Sequence, residues 1–199
     1  MHYLNHLSKD KKLKKLIEQH GTFELKKEKN ICLFLCYSIM SQQLSTKVAA
    51  VFHKRFVDLF KGKEPSAKQI ATTKFETLRA IGLSNAKANY VLNVANFELE
   101  NGMSAKKLQE MEDEEIITYL TQIKGVGRWT VEMLLMFALA REDHFAADDL
   151  GLQTAMIKLY KLDNSDKKQF KEDMLRISKK WSPYRTYASL YLWRFKDVK

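Results

Sequence analysis

Leu120-Thr121-Gln122-Ile123-Lys124-Gly125-Val126-Gly127-Arg128-Trp129-Thr130 is the stretch on which the reading of this chain turns. Short helices are predicted over about 105–110 and 113–121, and a long apolar helix over Arg128–Ala140. A chain that ends one helix and starts another within three or four residues needs torsions that side chains oppose. Gly125 and Gly127 are expected to supply them and to let another backbone approach. The second helix begins at the turn, so its first amides and positive dipole end face outward. That arrangement suits a phosphate. Ile123 and Val126 are expected to pin the turn to a core, while Lys124 and Arg128 add charge. A glycine-capped connector explains the same Gly-x-Gly with no ligand at all.

Outward from the hairpin, helical signals recur. Residues 8–29 read as an exposed, Lys-rich terminal helix, and 31–40 as a buried apolar one. Ser45 or Thr46 is expected to cap a helix over Lys47–Phe60, whose apolar positions Val48, Val51, Phe52, Phe56 and Leu59 fall at helical spacing. Ser66 is expected to cap a helix through Ile70. Further helices are predicted over Phe75–Ile81, Asn85–Asn96, about 150–160 and 166–180. Ser182-Pro183 reads as the N-cap and first position of a last helix, with Tyr184, Tyr187, Ala188 and Tyr191 on one face. Ile81-Gly82-Leu83-Ser84 weakly echoes the hairpin. No stretch shows the alternation of a sheet. The expectation is an all-α fold, with residues 1–199 forming one unit of two helical lobes.

Composition sets the partner class. The 199 residues carry a formal charge of +10, with 2 prolines and 7 glycines. A basic chain of this kind commonly meets a polyanion, although a Lys-rich composition alone would account for the charge. Cys32 and Cys36 share a helix face and read as buried thiols. Two cysteines do not build an iron–sulfur cluster, and the 5 histidines show no zinc spacing. Ile31–Met40 is too short to span a bilayer, so no membrane partner is expected. The opening Met1-His2-Tyr3-Leu4 lacks the apolar core of a signal peptide. An intracellular protein is expected: cytoplasm or nucleoid if bacterial, nucleus if eukaryotic.

Asp148-Asp149 precedes the helix predicted from about residue 150. Capping of that helix explains an acid there.

The run Ile123–Thr130, the helix after it and an aspartate some twenty residues on together resemble the helix-hairpin-helix (HhH-GPD) DNA glycosylase superfamily. Within it they are similar to the DNA-3-methyladenine glycosylase II branch. Ser41-Gln42-Gln43-Leu44-Ser45, Gly82–Ala88 and Trp181–Trp193 fit the same branch. The resemblance implies a two-lobed helical bundle with the active site between the lobes, a helix-hairpin-helix at about 114–140, and no room for the N-terminal β domain of some relatives. It implies hydrolysis of the N-glycosidic bond of alkylated purines, 3-methyladenine among them, in base excision repair after base flipping. The expected partner is double-stranded DNA with damaged bases, and the expected state a monomer.

The resemblance also assigns residues. Asp149 becomes the catalytic aspartate and Asp148 a structural one. An alkylated base already carries positive charge and leaves without protonation, so one carboxylate suffices where sugar hydrolases usually supply two. Asp149 would stabilise the oxocarbenium-like state, or position or deprotonate water. Trp129 stands where strand-cleaving relatives carry a lysine nucleophile, which implies a monofunctional enzyme. Trp129, Trp193, Met133 and Leu150 fall at pocket positions, the last two where some relatives have tyrosines. Gln42, Gln43, Leu44 and Ser45 match the segment that fills the hole left by the flipped nucleotide, Gln43 first and Leu44 next. A solvated loop or cap explains that segment equally well. Lys124, Gly125, Val126, Gly127, Arg128 and Thr130 are implied DNA contacts. The carbonyls of Thr121, Ile123 and Val126 are implied ligands of a structural Na+ or K+. No catalytic cofactor is expected. Two rivals stand beside this reading: a glycosylase for deaminated or oxidised bases, and a non-catalytic DNA-binding module.

Overall fold

The computed structural model describes residues 2–197. The chain divides into two units, Met1–Lys26 with Leu135–Lys199, and Lys27–Leu134. The first begins with α1 (His2–Leu7) and α2 (Lys11–His20). The second contains α3 (Ile31–Ser41), α4 (Thr46–Asp58), α5 (Ala67–Ala71), α6 (Phe75–Ala80), α7 (Asn85–Asn101), α8 (Ala105–Gln109) and α9 (Asp113–Leu120). Helix α10 (Arg128–Phe137) carries the chain back into the first unit, which closes with α11 (Leu150–Tyr160), α12 (Lys167–Ser178), a 3-10 turn at Lys179–Trp181 and α13 (Arg185–Asp197). No strand occurs among the described residues, and the fold is all-α.

Short polar side chains start these helices, as unpaired first-turn amides require. Ser45, not Thr46, caps α4 through the Val48 amide at 3.4 Å. Ser66 and Gln69 form a reciprocal capping box on α5. Ser84 and Ser104 cap α7 and α8. In the second unit α3 packs against α4 and α7, and α5 and α6 against α7. Leu35, Cys36, Ile39, Met40 and Phe56 are fully buried there.

The structure corrects several expectations. Residues 8–29 are not one exposed helix. Asp10 breaks the segment: its Oδ1 caps α2 by accepting from the amides of Lys12 and Leu13 at 2.9 and 3.3 Å. Its Oδ2 accepts from the Tyr160 hydroxyl at 2.8 Å and Trp181 Nε1 at 3.2 Å. Burial and the Asp10 charge hold the Tyr160 hydroxyl well above its usual pKa, and so protonated. Leu13 and Leu16 are buried, so this Lys-rich segment is not wholly exposed and gives two side chains to the core. On α4, Phe56 is buried, but Val48 and Val51 remain 43% and 46% exposed. Helix α10 stops at Phe137, three residues early, and Ala140 turns left-handed at φ 54°.

Ser182 and Pro183 do not open the last helix. Their peptide bond is cis and α13 starts at Arg185. The Ser182 hydroxyl instead donates to Asp143 Oδ2 at 2.7 Å. Asp143 Oδ1 accepts from the Arg185 backbone N–H at 3.2 Å and from Arg185 Nε at 2.7 Å. The cap thus comes from a distant loop. Burial alone would raise the Asp143 carboxyl, but the bonds from Arg185 and Ser182 and the guanidinium charge outweigh it and hold it below its ordinary value.

Candidate functional site

The hairpin between α9 and α10 closes as its glycines suggest, though unequally. Gly125 has φ 106°, a conformation L side chains rarely adopt, while Gly127 does not lie in that region. A Cβ on Gly125 would also overlap the Tyr90 ring, whereas one on Gly127 would meet nothing within 4 Å. Gly125 is therefore demanded by fold; Gly127 leaves an open approach to the start of α10. Ile123 and Val126 are 3% and 5% exposed and pin the turn. The Val126 amide donates to the Ile123 carbonyl at 2.9 Å. Asn93 Nδ2 donates to the Lys124 carbonyl at 3.1 Å. Tyr90 and Asn93, three apart on α7, thus seat the hairpin, and the sequence reading assigned neither.

The basic residues beside the turn differ. Lys124 is exposed. Arg128 pairs with Glu114 and, through Nε at 3.3 Å, with the buried Glu132. Thr130 was expected to touch DNA, yet it is only 3% exposed. Its i,i+3 spacing from Met133 turns it inward, where both line a cleft of the second unit.

That cleft has a volume of about 700 Å³ and is lined by Phe34, Tyr37, Ser38, Ser41, Gln42, Gln43, Leu44, His53, Trp129, Thr130 and Met133. It gathers Trp129 and Met133 from the expected pocket with Gln42, Gln43 and Leu44 from the expected wedge. Ser45 serves as the α4 cap. Phe34, Tyr37, Ser38 and Ser41 form the half-buried face of α3, at the 3–4 spacing of one helix side. The polar tips of Tyr37, Ser38 and Ser41 were the available signal for that face. Gln43 is exposed with φ 61°, a left-handed conformation costing on the order of 1 kcal/mol. Lys87 latches the loop, donating to the carbonyls of Met40 and Gln42 at 2.9 and 2.7 Å. Burial depresses the Lys87 pKa.

His53 crosses from α4 to the same face. Its ring stacks on Tyr37 with centroids 4.2 Å apart and planes 22° from parallel. Nε2 lies 2.9 Å from Ser41 Oγ and 3.3 Å from the Tyr37 carbonyl oxygen. Burial lowers the His53 pKa, against a smaller opposing pull from that carbonyl.

In the first unit, Asp149 is 8% exposed. Its Oδ1 accepts from the Leu152 amide at 2.8 Å, capping α11. The same oxygen accepts from Trp193 Nε1 at 2.8 Å. Capping and a fixed place beside the Trp193 indole are therefore not alternatives here. Trp193 also leans on Phe137, with centroids 5.8 Å apart. A Cβ on Gly151 would sit 3.0 Å from Asp149 Oδ1 and 3.0 Å from Trp193 Nε1. Glycine near the start of a helix is unfavourable by propensity, and that was the overlooked sign of close approach. Asp148 is exposed and paired with Lys171 at 2.7 and 2.8 Å, so the two adjacent acids have separate tasks. Leu150 is 77% exposed.

Among the described residues no cluster of three or more His, Cys, Asp or Glu could hold a metal ion. The carbonyls of Thr121, Ile123 and Val126 are neutral, hard donors, which fit an alkali ion. The Ile123 carbonyl retains a second lone pair beyond the one given to the Val126 amide. No helix among the described residues is long and apolar enough to cross a membrane.

Comparison with known proteins joins these features. Residues 36–180 match the family described as the HhH-GPD superfamily base excision DNA repair protein. A putative DNA-3-methyladenine glycosylase of Bacillus subtilis is 36% identical over 201 residues, covering 97% of this chain and 68% of that protein. DNA-3-methyladenine glycosylase 1 of Schizosaccharomyces pombe is 35% identical over 186 residues, covering 92% of this chain and 80% of that protein. A solved structure of the S. pombe 3-methyladenine DNA glycosylase in complex with abasic DNA superposes with a TM-score of 0.87 at 33% identity, covering 100% of this chain and 98% of that one.

Proposed function

The chain belongs to the HhH-GPD superfamily of base excision DNA repair proteins, and from that premise we propose how its residues divide the work. It is a DNA-3-methyladenine glycosylase, a hydrolase that releases alkylated purines by breaking the N-glycosidic bond. Its partner is DNA. The finer reading is ours: it acts as a monomer on a duplex, flips the damaged nucleotide, and leaves the strand uncut.

The observation that carries the catalytic assignment is the buried Asp149 carboxylate fixed by Trp193 Nε1 at 2.8 Å. Its Oδ1 is held by two N–H donors, so the negative charge has a set position before substrate arrives. As the glycosidic bond breaks, positive charge grows on the sugar, and a preorganised carboxylate stabilises it. The departing base is already cationic when alkylated at a ring nitrogen, so no second acid is required. Trp129, half exposed in the cleft, offers an aromatic face that attracts such a base. The side chain at that position has no amine to form a Schiff base, which supports a monofunctional reaction.

The open side of Gly127 and the first amides of α10 receive a phosphate. Lys124 contributes long-range attraction, whereas Arg128 is engaged by Glu114 and, more weakly, by Glu132. A Na+ or K+ on the carbonyls of Thr121, Ile123 and Val126 would add positive charge beside that phosphate. Gln43, held out of the loop by its left-handed backbone, fills the vacated stack, with Leu44 behind it.

The test is release of 3-methyladenine from methylated duplex DNA by wild type and Asp149→Asn. Asparagine also caps helices, so the variant should fold and bind DNA while losing about 100- to 1000-fold in release rate, the scale of a lost charge-stabilising group. Full activity in a folded Asp149→Asn protein would remove Asp149 from the mechanism.

A further inference from the structure

We propose that His53 selects the base by accepting a hydrogen bond from a 6-amino group, and that Ser41 holds it in the tautomer that can do so. This rests on the reading that the cleft of the second unit takes the flipped base.

The tautomer follows from counting protons. Ser41 has one hydroxyl proton, and its Oγ lies 2.7 Å from the Tyr37 carbonyl, which can only accept. Ser41 therefore donates to Tyr37 and presents a lone pair to His53 Nε2 at 2.9 Å. Nε2 also faces the Tyr37 carbonyl oxygen at 3.3 Å. A nitrogen facing two acceptors must carry the proton. The reverse arrangement, with Ser41 donating to Nε2, would leave the carbonyl opposite two lone pairs. Burial lowers the His53 pKa and so favours the neutral ring. With Nε2 protonated, Nδ1 holds only a lone pair.

Nδ1 makes no hydrogen bond to any described residue. His53 lines the cleft beside Trp129, and its ring is fixed from one face by Tyr37. The one polar ring atom left to an occupant is thus an acceptor. A 6-aminopurine offers N–H at that edge; a 6-oxopurine offers a carbonyl, setting lone pair against lone pair. Sites built to accept a particular N–H discriminate strongly against partners that lack it. The aromatic face of Trp129 attracts any cationic purine, so it cannot make this distinction by itself.

The experiment measures kcat/KM for 3-methyladenine and 3-methylguanine, which share the methylated nitrogen and the charge but differ at position 6; guanine also carries a 2-amino group, so the preference is read by its change when His53 is substituted. Wild type should prefer 3-methyladenine. His53→Phe keeps the stack on Tyr37 and should lower 3-methyladenine release 10- to 100-fold, leaving 3-methylguanine within about threefold. His53→Gln restores an acceptor and should recover part of the preference. Ser41→Ala frees the tautomer and should narrow the preference without abolishing release of 3-methylguanine. No preference in wild type, or an equal loss on both bases in His53→Phe and His53→Gln proteins that melt like wild type, would overturn the proposal. Release of neither base by wild type would instead overturn the reading of the cleft on which it rests.

Discussion

Trp193 Nε1 donates to Asp149 Oδ1 at 2.8 Å, and that oxygen simultaneously caps α11 through the Leu152 amide. One side chain therefore ends a loop, starts a helix and, on the proposed mechanism, supplies the buried charge of the site. Trp193→Phe keeps the ring and deletes the donor. A hydrogen bond to a charged group contributes about 1.5–3 kcal/mol, so the melting temperature should fall by several degrees, and single-turnover base release, measured below that melt, should fall roughly 10- to 100-fold. An unaltered rate would show that the indole N–H does not position the carboxylate.

Gly151→Ala tests the same corner from the backbone. In an ordinary helix this change stabilises by about 1 kcal/mol. Here the new methyl would lie 3.0 Å from both Asp149 Oδ1 and Trp193 Nε1. Displacing either group should lower base release by about 100-fold while DNA binding persists. A more stable and fully active variant would mean that the site is looser than its geometry.

The two hairpin glycines separate folding from binding. Gly125→Ala meets the Tyr90 ring at φ 106° and should destabilise the protein by at least about 1–3 kcal/mol, read by thermal or urea melts. Gly127→Ala meets nothing within 4 Å and should melt like wild type. A bulkier Gly127→Val should weaken DNA binding in a fluorescence titration, because its side chain occupies the approach to the α10 amides. Unchanged affinity would move the phosphate contact elsewhere.

Asp143 makes stability depend on acid. Its folded pKa lies below the ordinary value because of Arg185 and Ser182. The unfolded carboxyl titrates near pH ~3.9. Above that value the stabilisation is fully present, and it is lost as pH falls through the lower folded value. Asp143→Asn should therefore reduce the melting temperature at pH 7 and shrink its fall between about pH 5 and 2. Parallel melting curves for wild type and variant across that range would contradict the assignment.

Much of the architecture was legible because helix signals are local. Ser45 and Ser66 each announce a start, and the hairpin glycines announce a reversal. What failed to read through was whatever depends on a distant partner. Val48 and Val51 obey helical spacing, yet spacing names a face and does not show that anything covers it. Ser182 resembles a cap until Asp143, some forty residues earlier in the chain, accepts its hydrogen bond. The segment 31–40 reads as plain core, because its many apolar residues mask the side that carries Tyr37, Ser38 and, one residue on, Ser41. Asp149 is ambiguous in sequence for a different reason: its cap on α11 and its bond to Trp193 use the same oxygen, so the capping signal does not exclude a second task. His53, Tyr90, Asn93 and Gly151 carry no local motif, and each acquires meaning only through the side chain or backbone it meets.

Lys87 and the left-handed Gln43 bear on speed. A repair protein must sample a vast excess of undamaged nucleotides, so the time spent at each one limits the whole search. A loose loop would have to become ordered at every stop, losing about 1–2 kcal/mol per residue each time. Here the Lys87 bonds to the Met40 and Gln42 carbonyls set the loop during folding. If Gln43 is the wedge proposed above, it would meet each base step as a stiff probe, and the encounter would be decided by how readily the nucleotide yields, which is where intact and damaged bases differ.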